Sequence, residues 1–261
     1  MLLKKSISLH ITNCNIQMRK SIIITISIII SIICLACQKR HERIEYKKIW
    51  LHRANEIQKA QYFQDKYDGL EIDITYLDSL NTFIVFHGGG LVEPEPITLE
   101  QWFDEVGNAN KLRLWLDFKN LNNKNKMAAL KELNSLCTKY KISKSNIIVE
   151  NWNAKDLSVF QENDYQTSYY IPNFNPQKAS KYDIQKHTYK IRKTISSYNI
   201  TTISGYHYQY QFMRDSFPEQ NLLIWYIDND KKVQEKYIQL AQQDDKVKVL
   251  LIADEIPKNK K

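Results

Sequence analysis

Residues 69–90 read GLEIDITYLDSLNTFIVFHGGG: an apolar run with two carboxylates, a turn, and a second apolar run ending in a histidine beside three glycines. Glu71 and Asp73 are two apart, so in a strand they point to the same side. Between Asp73 and His87 there is room for a turn around LDSLN but none for a helix. Parallel strands need a crossover of about a dozen residues or more, so these two runs must pair antiparallel. Residues 74–87 are therefore expected to rise as a β-hairpin and fold back, returning His87 to the height of Glu71 and Asp73.

The rest of the chain supplies the sheet from which such a hairpin rises. Short apolar runs recur eight times: KIWLHRA, DGLEIDI, KLRLWLDFK, NIIVENW, TSYYIPN, TTISGYH, NLLIWYID and VKVLLIADE. Between them lie segments with helical spacing and polar faces, such as NEIQKAQYFQDKY, TLEQWFDEVGNAN, NKMAALKELNSLCTKY and KKVQEKYIQLAQQ. Thr98 followed three residues later by Gln101 reads as a capping box opening the second of these. Strands alternating with helices argue for parallel βαβ units, and eight of them for a closed (β/α)8 TIM barrel. The competitor is an open doubly wound sheet, weakened because no glycine-rich phosphate fingerprint follows the first strand. The expected fold is α/β, a single-domain TIM barrel over residues 47–257 with a hairpin excursion after the second strand. A chain of 261 residues accommodates one such domain.

The formal charge of +8 shrinks on inspection. Lys4, Lys5, Arg19 and Lys20 stand in the first 37 residues, which hold no acid, so the remainder carries 33 basic residues against 29 acidic, or +4. No clustered basic stripe with interleaved aromatics is evident along the chain, so nucleic-acid binding is not expected. Residues 18–37, MRKSIIITISIIISIICLAC, have a basic start, an apolar stretch from Ile22 to Leu35, and a small residue before Cys37, the layout of a secretory signal. The run is shorter than the roughly 20 residues of a spanning helix. CLAC resembles a bacterial lipobox with Cys34 where leucine is usual, which implies lipidation of Cys37. A lipoprotein-type signal is thus expected over residues 1–37, with Met18 a candidate start, and a polar tether over 38–46. The implied location is the bacterial cell envelope, periplasm or cell surface, with the membrane reached through the lipid anchor and the protein a monomer. Cys137 is then the single mature cysteine, so no intrachain disulfide is expected; it reads as a small buried hydrophobe.

Ionisable residues gather at the ends of the expected strands. The first ends in His52, Arg53 and Asn55; the second carries Glu71 and Asp73; the hairpin returns His87; the third ends in Asp117 and Lys119; the seventh in Trp225 and Asp228. Three carboxylates from neighbouring strands make a hard, oxygen-rich site suited to Mg²⁺ or Ca²⁺. Two histidines beside such a metal provide an acid and a base, or a nucleophile and an acid. Arg53 and Lys119 would neutralise a bound anion. Together these groups suit phosphoryl transfer, whose charge builds on phosphate oxygens.

At this point the residues resemble a family. HR at the first strand, ExD at the second, a histidine after a short hairpin and an acid-x-Lys at the third are similar to the glycerophosphodiester phosphodiesterases. HRAN, His87–Gly88 and the Asp117-x-Lys119 pair are closer to the sphingomyelinase D-type phospholipases and the menorin family. The resemblance implies that Glu71, Asp73 and Asp117 bind a divalent metal. It implies that His52 and His87 are the catalytic pair, attacking phosphorus and protonating the leaving alcohol. Lys119 and Arg53 would hold phosphate oxygens, and Trp225 would wall the substrate cleft. The chain departs from the phosphodiesterase pattern at Ala54 and Gly88 and lacks the P-E-N-T segment, and it cannot form the sphingomyelinase D disulfide. The resemblance therefore implies the chemistry more than the substrate.

Blander readings compete. Each histidine alone is an ordinary strand-end residue, Arg53 a structural ion pair, Trp225 barrel packing, and Tyr206, His207, Tyr208 and Tyr210 an aromatic stripe. Asn55 is read as a cap of the first helix or an orienting partner of His52. HGGG passes for an esterase loop, but no G-x-S-x-G elbow accompanies it. The expectation is a metal-dependent phosphoric diester hydrolase acting on glycerophosphodiesters or lysophospholipid-like substrates. The alternatives are a non-catalytic ligand- or partner-binding envelope lipoprotein that keeps the barrel, and a glycosidase using two of the carboxylates.

Overall fold

The computed structural model describes residues 48–87 and 96–257. The expected signal and tether, Cys37, Lys47 and Gly88 lie outside the described residues. The strands are β1 (Ile49–Leu51), β2 (Leu70–Leu77), β3 (Thr82–Val85), β4 (Leu114–Phe118), β5 (Ile147–Asn151), β6 (Gln166–Tyr170), β7 (Thr202–Tyr206), β8 (Asn221–Tyr226) and β9 (Val247–Ile252). The helices are α1 (Ile57–Phe63), α2 (Leu99–Val106), α3 (Lys126–Tyr140), α4 (Ala154–Gln161), α5 (Lys181–Tyr198), α6 (Tyr210–Ser216) and α7 (Lys231–Gln243). The sheet runs β1-β9-β8-β7-β6-β5-β4-β2 and closes by β1 pairing with β2. Every pair in that ring is parallel, which makes the eight-stranded TIM barrel expected from the alternation.

The ninth strand, β3, pairs antiparallel with β2 from Ile74↔Val85 to Leu77↔Thr82. This is the expected hairpin, closed by Asn81 in the left-handed region at φ 52°. Its return leg is tied down where Phe86 N–H donates to the Asp73 carbonyl at 3.0 Å.

Alternation along the strands divides the apolar residues in two. Trp50, Trp115, Ile148, Leu223, Trp225, Val249 and Leu251 cluster inside the barrel. Leu70, Ile72, Ile74, Leu114, Leu116, Phe118, Ile147 and Val149 pack outward against helices. Gly69 permits one tight approach, since a Cβ there would lie 2.4 Å from the Trp50 ring. Helix α2 opens with the expected capping box: Gln101 N–H donates to Thr98 Oγ1 at 3.1 Å, and Thr98 N–H to Gln101 Oε1 at 2.8 Å. It buries Leu99, Trp102, Phe103 and Val106, and Trp102 Nε1 donates to the Ala54 carbonyl at 3.1 Å. That bond fixes the loop after β1, which carries His52 and Arg53. Cys137 is buried in α3, its Sγ 3.4 Å from the Tyr165 hydroxyl. Among the described residues, no helix is long and apolar enough to cross a membrane.

Candidate active site

Parallel strands deliver their C-terminal ends to one mouth, and a cavity of about 540 Å³ opens there. All eight predicted site residues of the barrel, His52, Arg53, Glu71, Asp73, His87, Asp117, Lys119 and Trp225, line it. Asp73 and Asp117 sit opposite each other on β2 and β4, and Glu71 lies two residues earlier on β2. One carboxylate oxygen from each lies within 4.8 Å of the others. Oxygen-only donors from fixed strands suit a hard divalent cation. The electrostatics agree. Burial, then repulsion from Asp73 and Asp117, pushes the Glu71 carboxyl well above its usual range. Burial and the charge of Asp73 raise Asp117 against the pull of Lys119. A divalent cation at this triad would relieve both, so the donor set fits one.

The protein supplies part of that positive charge itself. Lys119 Nζ reaches Asp73 Oδ1 at 2.5 Å and also pairs with Asp117. Burial opposes the Asp73 charge, but Lys119, Asn55 and His87 overcome it and hold the carboxyl at about 2. Burial also works against the Lys119 ammonium, yet the two aspartates shift its pKa upward and keep it charged.

The histidines differ in setting. His52 is largely buried, its Nε2 3.8 Å from Glu71 Oε2. Burial, then the neighbouring Arg53 charge, drives its pKa down to about 3, so it is a neutral imidazole near pH 7. His87 is half exposed, with Nδ1 3.0 Å from Asp73 Oδ1 and Nε2 2.9 Å from Arg53 Nη2. An arginine can only donate, which assigns the lone pair to Nε2 and the proton to Nδ1, pointing at Asp73. Arg53 has φ 55°, a left-handed conformation unusual for a residue with a side chain, and its N–H donates to Glu71 Oε2 at 2.6 Å.

Other residues enter the site in roles that the sequence reading did not give them. Asn55 does not cap α1; Glu56 is the cap position and makes no side-chain cap bond. Asn55 Nδ2 instead donates to Asp73 Oδ2 at 2.7 Å, and its Oδ1 accepts from Asp73 N–H at 2.9 Å. Glu150 on β5, opposite Asp117, is buried in the cavity floor, where Trp115 Nε1 donates to it at 3.1 Å and Ser204 Oγ also donates. Burial, then the Asp117 charge, raises its carboxyl well above the usual range. Lys59 is buried at the cavity edge and pairs with Glu255 at 3.6 Å. Trp225 forms an aromatic wall with Tyr170 and Tyr206, ring centroids 4.3 and 5.2 Å away. Asp228 is exposed and accepts a hydrogen bond from Asp230 N–H in its own loop at 3.3 Å.

No protein-family model and no curated protein matches the sequence. Solved structures do match by fold. A glycerophosphodiester phosphodiesterase from Parabacteroides distasonis superposes with a TM-score of 0.57 at 15% identity, over 80% of this chain and 93% of its own. An Oleispira antarctica phosphodiesterase, solved with the product sn-glycerol-3-phosphate, gives 0.52 at 10% identity, over 78% and 92%. This chain therefore folds as the closed parallel barrel seen in the glycerophosphodiester phosphodiesterases.

Proposed function

We propose that the protein is a metal-dependent phosphoric diester hydrolase of the bacterial cell envelope, acting on glycerophosphodiesters or lysophospholipid-like substrates. The observation that carries the reading is the convergence of an acidic triad, two histidines and two cations on the mouth of a barrel with this fold. Glu71, Asp73 and Asp117 would hold Mg²⁺ or Ca²⁺, which supplies Lewis-acid stabilisation of phosphate charge when bound. Lys119 and Arg53 bind the anionic oxygens. His52, neutral and buried, is the group that attacks phosphorus or takes a proton. His87, held by Asp73 through Nδ1–H and open to solvent, would protonate the leaving alcohol from Nε2 once that nitrogen has gained a proton and Arg53 has turned from it to the phosphate. The Tyr170–Tyr206–Trp225 wall bounds the organic part of the substrate. Lipidation at Cys37 would hold the barrel at the membrane.

The reading is tested by titrating Mg²⁺ and Ca²⁺ into the barrel and its Asp117→Asn variant by calorimetry, alongside turnover of a glycerophosphodiester panel. Binding of one ion that the substitution weakens at least about 100-fold, with turnover lost in parallel, is the expected result. Turnover that persists in EDTA would refute the metal-dependent mechanism.

A further inference from the structure

Helix α5 has a second face that the barrel does not use. Its inward side buries Ile191 and half-buries Ile184, Ile195 and Tyr198. At about 100° per residue, Tyr182, Lys186, Tyr189 and Lys193 fall on one line half a turn away from those isoleucines. They run along about 16 Å of helix at a rise of about 1.5 Å per residue. Tyr182 is 71% exposed and Tyr189 69%, and both lysines are exposed. Among the described residues, neither lysine has an ion pair and neither tyrosine hydroxyl a hydrogen bond. Lys181, Lys190 and Arg192 add charge to the same helix, whose one acid, Asp183, is held in the first turn by Ser180 Oγ at 2.6 Å. This stripe is the interleaved basic and aromatic pattern that the linear sequence did not display, because helical spacing assembles it.

We propose that this face docks on an anionic lipid bilayer. The chemistry selects the occupant. Tyrosine rings, apolar with a polar tip, settle at headgroup level, and lysines on long stems reach anionic phosphates beside them. Four exposed tips in line along one helix face form a strip that a bilayer surface can meet along its length. The lipobox-like CLAC expected to be lipidated, ahead of the barrel, would bring a membrane within reach. The surface is independent of the reaction proposed for the mouth.

The test uses the barrel alone, residues 48–257, whose closed sheet and core are complete within those residues, so that lipidation contributes nothing. Sedimentation is measured with phosphatidylglycerol–phosphatidylcholine vesicles, with pure phosphatidylcholine vesicles, and with a single-stranded oligonucleotide in their place. Binding to the anionic vesicles alone is expected, screened by salt. Lys186→Gln with Lys193→Gln is expected to weaken it about 30-fold, from roughly one headgroup interaction per lysine. Tyr182→Ser with Tyr189→Ser should weaken it in a salt-insensitive way. Lys232→Gln with Lys236→Gln, on the exposed side of α7, should leave it unchanged. Equal loss from the α5 and α7 lysine pairs would reduce the effect to net charge and overturn the proposal. So would an absence of anionic vesicle binding, or binding of the oligonucleotide in its stead.

Discussion

At the scale of single residues, the candidate site holds like charges close together, the arrangement that the proposed divalent cation would relieve. Asp73 is the hub: Lys119, His87 and Asn55 all converge on its carboxylate. Asn55 does not line the cavity, yet it fixes both the side chain and the backbone of Asp73, a proposed metal ligand. Asn55→Ala is therefore expected to lower metal affinity and kcat/KM by about 10- to 100-fold while the fold is retained. Calorimetry and circular dichroism on the same sample check this; unchanged metal affinity would reduce Asn55 to a loop contact. The spacing of two in Glu71–Asp73 and Asp117–Lys119 made those residues legible, because strand geometry turns such spacing into a shared face. Asn55 and Glu150 were not legible in these roles. The partner of Asn55 lies 18 positions away, and Ser204 donates to Glu150 across 54. No local pattern announces a bond of that reach.

At the scale of elements, hairpin length and strand ends decide where the chemistry sits. The hairpin was readable because too few residues separate Ile74 and Phe86 for a crossover. The capping box of α2 was readable because Thr98 and Gln101 are three apart. What α2 does next was not: Trp102 crosses to the Ala54 carbonyl and steadies the His52–Arg53 loop. Between β1 and β2, Gly69 is held to its identity by Trp50. Gly69→Ala puts a methyl inside the ring's contact distance and is expected to cost about 1–3 kcal/mol, as overpacking of a core does. Urea unfolding checks it. A double variant, Gly69→Ala with Trp50→Leu, should recover part of the loss if the clash is the cause.

For the whole molecule, the turn that leads from α7 into β9 is tied to the neighbouring helix α6. Asp244, after α7, accepts from Arg214 Nε at 2.9 Å, from the Tyr210 hydroxyl at 2.8 Å and from Lys246 N–H at 3.0 Å. Burial works against its charge, but these donors outweigh burial and lower its pKa. A carboxyl with a depressed folded-state pKa stabilises the fold at pH above its unfolded value, about 3.9, and loses that contribution as pH falls through the folded value. The Tm gap between the parent and Asp244→Asn is therefore expected to be constant near neutrality and to close in acid; a gap that persists there would contradict the assignment. The fold at this scale was legible as eight strands alternating with helices. Its seams were not, because the three groups that hold Asp244 come from residues up to 34 positions distant.

The central claim is that His52 and His87, with the acidic triad, break a phosphodiester bond. The direct measurement is phosphorus NMR of glycerophosphodiesters and lysophospholipids incubated with the barrel in Mg²⁺, Ca²⁺ or EDTA, together with His52→Ala and His87→Ala. Conversion of at least one diester with metal is expected, with a product shift that identifies the broken bond and a loss of about 10²- to 10⁴-fold in each variant. No conversion of any diester, with metal bound at the triad or absent from it, would contradict the claim and leave a barrel that binds rather than reacts.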